Sequence, residues 1–252
     1  MLQISESDLV RKAVVTAPVS RAVVARYVAG ESVPDAVTVA GELRTTNRLA
    51  TIDYLGEDTT DAVQAATTRD TYVHLLDLLA EADLTEYGAA EVSVKLSAIG
   101  QALPADGDAI ALENARAICE AAQAAGTTVT LDMEDHTTTD RTLATLHALR
   151  EDFPWVGAVL QSYLHRTEAD CRDLATAGSR VRLCKGAYKE PASVAYQDGD
   201  DVDLSYVRCL KVLMAGDGYP MVASHDPRLV DIAAALAGHH GRAPDSYEFQ
   251  ML

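Results

Sequence analysis

The sequence predicts an α/β protein whose parallel strands curl into a TIM-type (βα)8 barrel. Two observations carry that prediction. From about residue 49 to the end, short β-rich runs alternate with longer amphipathic segments and no hairpin signal intervenes; such alternation implies right-handed βαβ units and a parallel sheet. Polar residues also recur at the C-terminal ends of the runs: Lys95, Asp132, Gln161, Arg182 with Lys185, His225 and Gln250. A barrel gathers all its strand ends at one mouth, whereas an open doubly wound sheet concentrates them at one switch point. No G-x-G-x-x-G follows the first run and no Walker A motif occurs, so the barrel is the better fit.

The elements follow in order. An N-terminal helical segment spans residues 1–48. Val10, Val14 and Val15 share one helical face before Pro18 breaks the run, Ser20 to Val28 ends at Gly30, and a third helix begins near Pro34. The barrel segment, residues 49–252, then carries seven runs: Ala50 to Gly56, Glu91 to Ser97, Thr128 to Asp135, Ala158 to Leu164, Val181 to Ala187, Met221 to Asp226 and Ser246 to Leu252. Between them lie helical patterns near Asp61–Ala82, Asp108–Ala125, Thr139–Asp152, Thr167–Ala177, Val202–Ala215 and Pro227–His239. Gly126 and Gly178 stand where left-handed helix caps are expected. A complete barrel has about eight strands; the seven runs leave it one short.

Composition narrows the class. Hydrophobic residues at 48% and charged residues at 23% are ordinary for a globular chain, which excludes wholesale disorder. A formal charge of −17 argues against nucleic acid or anionic lipid as the main partner. No apolar stretch approaches a transmembrane span, and residues 1–11 lack the apolar core of a signal peptide, so a cytoplasmic location is expected. Cys119, Cys171, Cys184 and Cys209 are widely spaced in apolar or helical contexts, which predicts core thiols rather than disulfides or nucleophiles.

The strand-end residues themselves allow several chemistries. Lys95 and Asp132, from consecutive strands, are placed to pair across the mouth, and Arg182 is placed to bridge to Asp132 or Glu134. Asp132, Glu134, His225 and Asp226 are also a hard-ligand set for a metal-dependent lyase or isomerase. Lys185 or Lys95, with a lowered pKa, suits a Schiff-base enzyme. Blander roles exist for each: Gln161 and Gln250 as polar core residues, Met133 as core filler, Tyr188 as loop packing, and Asp226 as a helix cap before Pro227.

Six motifs then single out a family. Ser93–Ser97 (SVKLS), Leu131–Glu134 (LDME), Val159–Tyr163 (VLQSY), Arg182–Tyr188 (RLCKGAY), Ser224–Asp226 (SHD) and Glu248–Leu252 (EFQML) resemble the proline dehydrogenases, as do Tyr27–Glu31 (YVAGE) and Asp53–Glu57 (DYLGE). The resemblance is to the monofunctional bacterial type and covers nearly the whole chain. It implies a distorted TIM barrel that binds FAD non-covalently and oxidises L-proline to 1-pyrroline-5-carboxylate, the first step of proline catabolism. By matching position, Lys95 would hold the substrate carboxylate and Asp132 would orient it as a catalytic residue. Arg182 would be catalytic beside the flavin, where fixed positive charge stabilises the reduced form. Met133, Gln161, Lys185, Gly186, Ala187, Ser224 and His225 would complete the FAD contacts, with Gly186 permitting close approach, and no metal is implied. The family's electrons commonly pass to membrane quinone, so peripheral contact with the inner membrane face is an expectation. The family also continues beyond EFQML with an eighth strand and a helix bearing a Tyr and paired arginines. The resemblance therefore implies a barrel lacking its eighth βα unit, with impaired activity. An inactive barrel remnant is the non-enzyme alternative.

Overall fold

The computed structural model describes residues 28–252. Its sheet has seven parallel strands hydrogen-bonded in sequence order: β1 (Ala50–Asp53), β2 (Ala90–Val94), β3 (Val129–Leu131), β4 (Gly157–Gln161), β5 (Arg180–Cys184), β6 (Tyr219–Ala223) and β7 (Glu248–Gln250). Seven described α-helices accompany them: α1 (Val33–Arg44), α2 (Ala62–Glu81), α3 (Gly107–Ala125), α4 (Thr139–Arg150), α5 (Thr167–Leu174), α6 (Gly199–Ala215) and α7 (Pro227–His239). The helices expected between Ser5 and Val28 fall almost wholly on residues 1–27, outside the described residues.

The strands alternate with a period of two. Val92, Val94, Val129, Leu131, Leu160, Val181, Leu183 and Val222 join one hydrophobic cluster with Tyr72, Leu76 and Leu79 of α2, Ile118 of α3 and Leu146 of α4. Each such fully buried side chain contributes about 1.5–3 kcal/mol. The core therefore lies between strands and helices. The opposite face carries a polar network beside Val159 and Met221: Glu91 accepts from Thr51 Oγ1 (3.0 Å), Thr128 Oγ1 (2.5 Å) and Arg180 Nη2 (3.1 Å).

Those contacts also establish curvature. β2 and β5 stand three strands apart, roughly 14 Å in a flat sheet. Yet Arg180 reaches Glu91 and Arg182 Nη1 reaches Ser93 Oγ at 2.9 Å. The sheet is curled, and its polar face lines the inside. Among the described residues the ladder ends at β1 and β7, which are its edges.

Caps explain several boundaries. Asp61 Oδ1 accepts from Val63 N and Gln64 N ahead of α2, Asp198 caps α6, and Asp226 caps α7 with Pro227 in its first turn. α3 ends at Gly126 in the left-handed conformation, φ +77°. Gly178 is left-handed as well, φ +78°, but α5 already stops at Leu174, so Gly178 shapes the turn into β5 rather than capping a helix.

The expected runs overshoot the strands at their C-terminal ends. β1 stops at Asp53 rather than Gly56, β2 at Val94 rather than Ser97, and β5 at Cys184 rather than Ala187. The cause is visible at Lys95: its backbone remains extended (φ −87°, ψ 123°), yet it is already the cap of a short 3-10 helix, Leu96–Ile99. Extended residues at the mouth keep strand-like side-chain alternation after leaving the ladder.

Candidate active site

The residues beyond the strand ends meet at one mouth. Lys95 sits one residue past β2. Its Nζ lies 2.7 Å from Asp53 Oδ2 and 3.6 Å from Glu57 Oε1. The predicted Lys95–Asp132 pair does not form. In register, Asp53 on β1 stands beside Ser93, two residues before Lys95 on the same face, and this nearest carboxylate captures the ammonium. Asp132 is engaged elsewhere: its Oδ1 accepts from Ser93 Oγ at 2.6 Å and from Arg182 Nη1 at 2.8 Å. Of the two bridges considered for Arg182, the one to Asp132 is made; Glu134 instead accepts from Ser97 N and Ser97 Oγ. Arg182 is fixed from a third side by Gln250, whose Oε1 accepts from Nε at 2.5 Å.

The electrostatics follow from that packing. Burial raises the Asp53 carboxyl, and Lys95 only partly offsets it. For Lys95, burial lowers the ammonium, but the hydrogen bond and charge of Asp53, with Asp132 and Glu57, outweigh it and leave the pKa raised. Lys185 is raised in the same way, against burial, by Asp203 at 2.5 Å and Asp226 at 3.3 Å. Both lysines are thus held as ammonium, the opposite of what a Schiff-base nucleophile needs. The four residues of the metal alternative are dispersed among other partners: Asp132 to Arg182, Glu134 to Ser97, Asp226 to Lys185 and Arg228, and His225 to a backbone amide. Burial pushes Cys184 up to about 11, which keeps that thiol protonated and unreactive.

The other predicted contacts are distributed around the rim. Gln161 is buried at the end of β4, and its amide donates to the Glu134 carbonyl at 2.7 Å. Met133, on the face opposite Asp132, packs within the main hydrophobic cluster. Ser224 Oγ accepts from Asp226 N at 3.1 Å, and His225 Nε2 accepts from Leu252 N at 3.1 Å. Ala187 is exposed. Gly186 has φ +113°, and a Cβ there would stand 2.5 Å from ring atoms of Tyr163. Its missing side chain is already accounted for by Tyr163. The Tyr188 phenol is raised by burial first, then by the charges of Glu57, Glu134 and Asp132.

Several contributors were missed by strand-end reasoning. Ser93, Glu91 and Arg180 each lie two or four residues before a predicted site residue, on the same inward face, so the period-two pattern contained them. Asp53, quoted only within a motif, is the principal partner of Lys95. Tyr72 hides on α2: its buried hydroxyl reaches the Ser93 carbonyl (2.8 Å) and Asp53 Oδ1 (3.2 Å).

A family model described as proline dehydrogenase matches residues 36–252. The chain belongs to the proline dehydrogenase family. It is 38% identical over 229 residues to a proline dehydrogenase of Deinococcus radiodurans, covering 90% of this chain and 73% of that protein. It is 34% identical over 227 residues to proline dehydrogenase 1 of Bacillus subtilis, again covering 90% and 73%. Among solved structures, proline utilization A from Bdellovibrio bacteriovorus superposes with a TM-score of 0.83 over 92% of this chain at 24% identity. The match spans only 28% of that larger chain, and it supports the barrel fold. Among the described residues no helix is long and apolar enough to cross a membrane.

Proposed function

We propose that this protein oxidises L-proline to 1-pyrroline-5-carboxylate, using FAD held at the mouth of the curled sheet. The observation that carries the reading is the arrangement of Lys95, Asp132 and Arg182, in a chain of this family, around one opening with acidic and basic groups interleaved. Proline at neutral pH is a zwitterion. A mouth presenting the Lys95 ammonium beside Asp53, Glu57 and Asp132 complements both of its charges.

Each side chain has a task in this reading. Lys95 binds the substrate carboxylate: an ammonium carries three donors, and Asp53 takes one at 2.7 Å. Asp53 and Tyr72 hold Lys95 in place. Asp132 orients the substrate, and Arg182 supplies fixed positive charge where negative charge accumulates. FAD, when bound, supplies the hydride acceptor. The residues present fit such a group: the guanidinium of Arg182 is anchored through Nε and Nη1 while its buried Nη2 has no hydrogen-bond partner among the described residues, and cationic donors suit an anionic cofactor. Gln161, Lys185, Gly186, Ala187, Ser224, His225 and Met133 are proposed to line its site. Quinone is the proposed acceptor for the electrons, and the cytoplasm the proposed location.

The test is reconstitution. Purified protein with saturating FAD should quench flavin fluorescence, gain thermal stability and reduce an artificial acceptor only when L-proline is added. Quenching without any proline-dependent turnover would refute the activity, and no quenching at all would refute the cofactor.

A further inference from the structure

Ser93 is 2% exposed and faces inward from β2. Its hydroxyl closes a three-membered ring with the two groups proposed as catalytic: 2.6 Å to Asp132 Oδ1 and 2.9 Å to Arg182 Nη1, which itself lies 2.8 Å from the same carboxylate oxygen. The direction of each bond is determined. A guanidinium only donates, so Ser93 Oγ accepts from Arg182 and its single proton goes to Asp132 Oδ1.

That ring leaves two atoms without a hydrogen bond among the described residues. Arg182 Nη2 is buried without a hydrogen-bond partner among the described residues, with Glu91 Oε1 standing 3.8 Å away. Asp132 Oδ2 receives no hydrogen bond from the described residues either, since both donors converge on Oδ1. An arginine and a carboxylate this close ordinarily pair through two parallel bonds. Such a pair would satisfy Nη2 and Oδ2 together. Instead, Ser93 Oγ and Arg182 Nη1 both bond the same oxygen, Oδ1.

We infer that Ser93 is a positioning residue. By occupying Oδ1, it keeps Asp132 from collapsing onto the guanidinium and holds Oδ2 available at the mouth for the substrate. The inference rests on the proposed proline oxidation for its kinetic consequence, but its geometric content stands without it.

The test compares Ser93→Ala and Ser93→Thr in the full chain, with and without FAD. In a crystal structure of cofactor-free Ser93→Ala, Asp132 should rotate so that both oxygens pair with Nη1 and Nη2 of Arg182. In the FAD-loaded protein, kcat for proline should fall about ten- to a hundredfold, the range for losing a hydrogen bond to a charged group. KM should stay within about threefold, because Lys95 still holds the carboxylate. Ser93→Thr, which retains the hydroxyl, should recover most of the loss. An unmoved Asp132 in Ser93→Ala, or an unchanged kcat, would overturn the inference, as would equal losses in the two variants. A wild-type protein that does not oxidise proline would instead refute the proposed function, and the cofactor-free geometry would still decide the role of Ser93.

Discussion

Replacing Gly186 by alanine tests how the loop after β5 is built. Gly186 sits at φ +113°, outside the regions an L-residue occupies comfortably, and a Cβ would meet Cδ1, Cε1 and Cζ of Tyr163 at 2.5, 2.5 and 2.6 Å. These are atoms of a rigid ring whose own backbone is tied to the same loop, through Tyr163 N to Lys185 O (2.9 Å) and Tyr196 N to Tyr163 O (2.8 Å). The ring cannot swing aside cheaply. The backbone strain costs about 1–3 kcal/mol and the forced repacking about 1–3 kcal/mol more. For a chain of this size each kcal/mol lowers Tm by roughly 2–4 °C, so Gly186→Ala should lower it by about 4–24 °C, measured by calorimetry on the cofactor-free protein. In a Tyr163→Ala background the crowding disappears and only the strain remains, so the two substitutions should be strongly non-additive. A Tm change below about 2 °C, or strict additivity, would refute the claim that Tyr163 is what demands glycine here.

Other outcomes follow from the same geometry. Arg182→Lys should slow flavin reduction by proline far more than conserved charge suggests, because an ammonium cannot span Gln250, Ser93 and Asp132 as the planar fork does; rapid-mixing absorbance gives the rate, and an unchanged rate removes Arg182 from its role. Glu134 is pushed above its ordinary 4.5 by burial, partly opposed by Ser97. The folded state therefore binds that proton more tightly than the unfolded chain, and stability from this group is full below about 4.5 and lost as pH rises through the raised folded value. Glu134→Gln should flatten that part of the pH dependence of Tm, and a parallel pair of profiles would contradict the assignment. Glu91→Ala should destabilise by about 3–5 kcal/mol, as expected when buried cations lose their partner, since Arg180 and Arg182 both face it; urea titration provides the measurement.

The fold was legible because β-rich runs alternate with helical patterns and polar residues recur at the run ends, and because much of the barrel interior is polar. With Thr51, Glu91, Ser93, Thr130, Arg180 and Arg182 inward and Val92, Val94, Leu131, Val181 and Leu183 outward, the strands alternate as parallel strands buried on both apolar faces do not. The same alternation misled at the strand ends, where Lys95 stays extended without a ladder partner. Motif resemblance singled out Lys95, Asp132 and Arg182, but the partner of Lys95 was not legible. Asp53 lies 42 residues away, and whether Asp53 or Asp132 captures the ammonium depends on register and curl, which no local pattern encodes. The packing of Tyr163 against Gly186 was likewise not legible, because the ring reaches it only through folding of the loop.

The central claim is that the Lys95–Asp132–Arg182 mouth binds proline by its carboxylate and presents it for oxidation. Anaerobic mixing of the FAD-loaded protein with L-proline tests this most directly, read as loss of flavin absorbance, for wild type and Lys95→Met side by side. The wild type should bleach with saturable dependence on proline. Lys95→Met should still bind FAD but require at least about tenfold more proline, as expected for losing a charge-assisted bond. A wild type that keeps its colour, or a Lys95→Met variant that bleaches at the same proline concentration, would contradict the account.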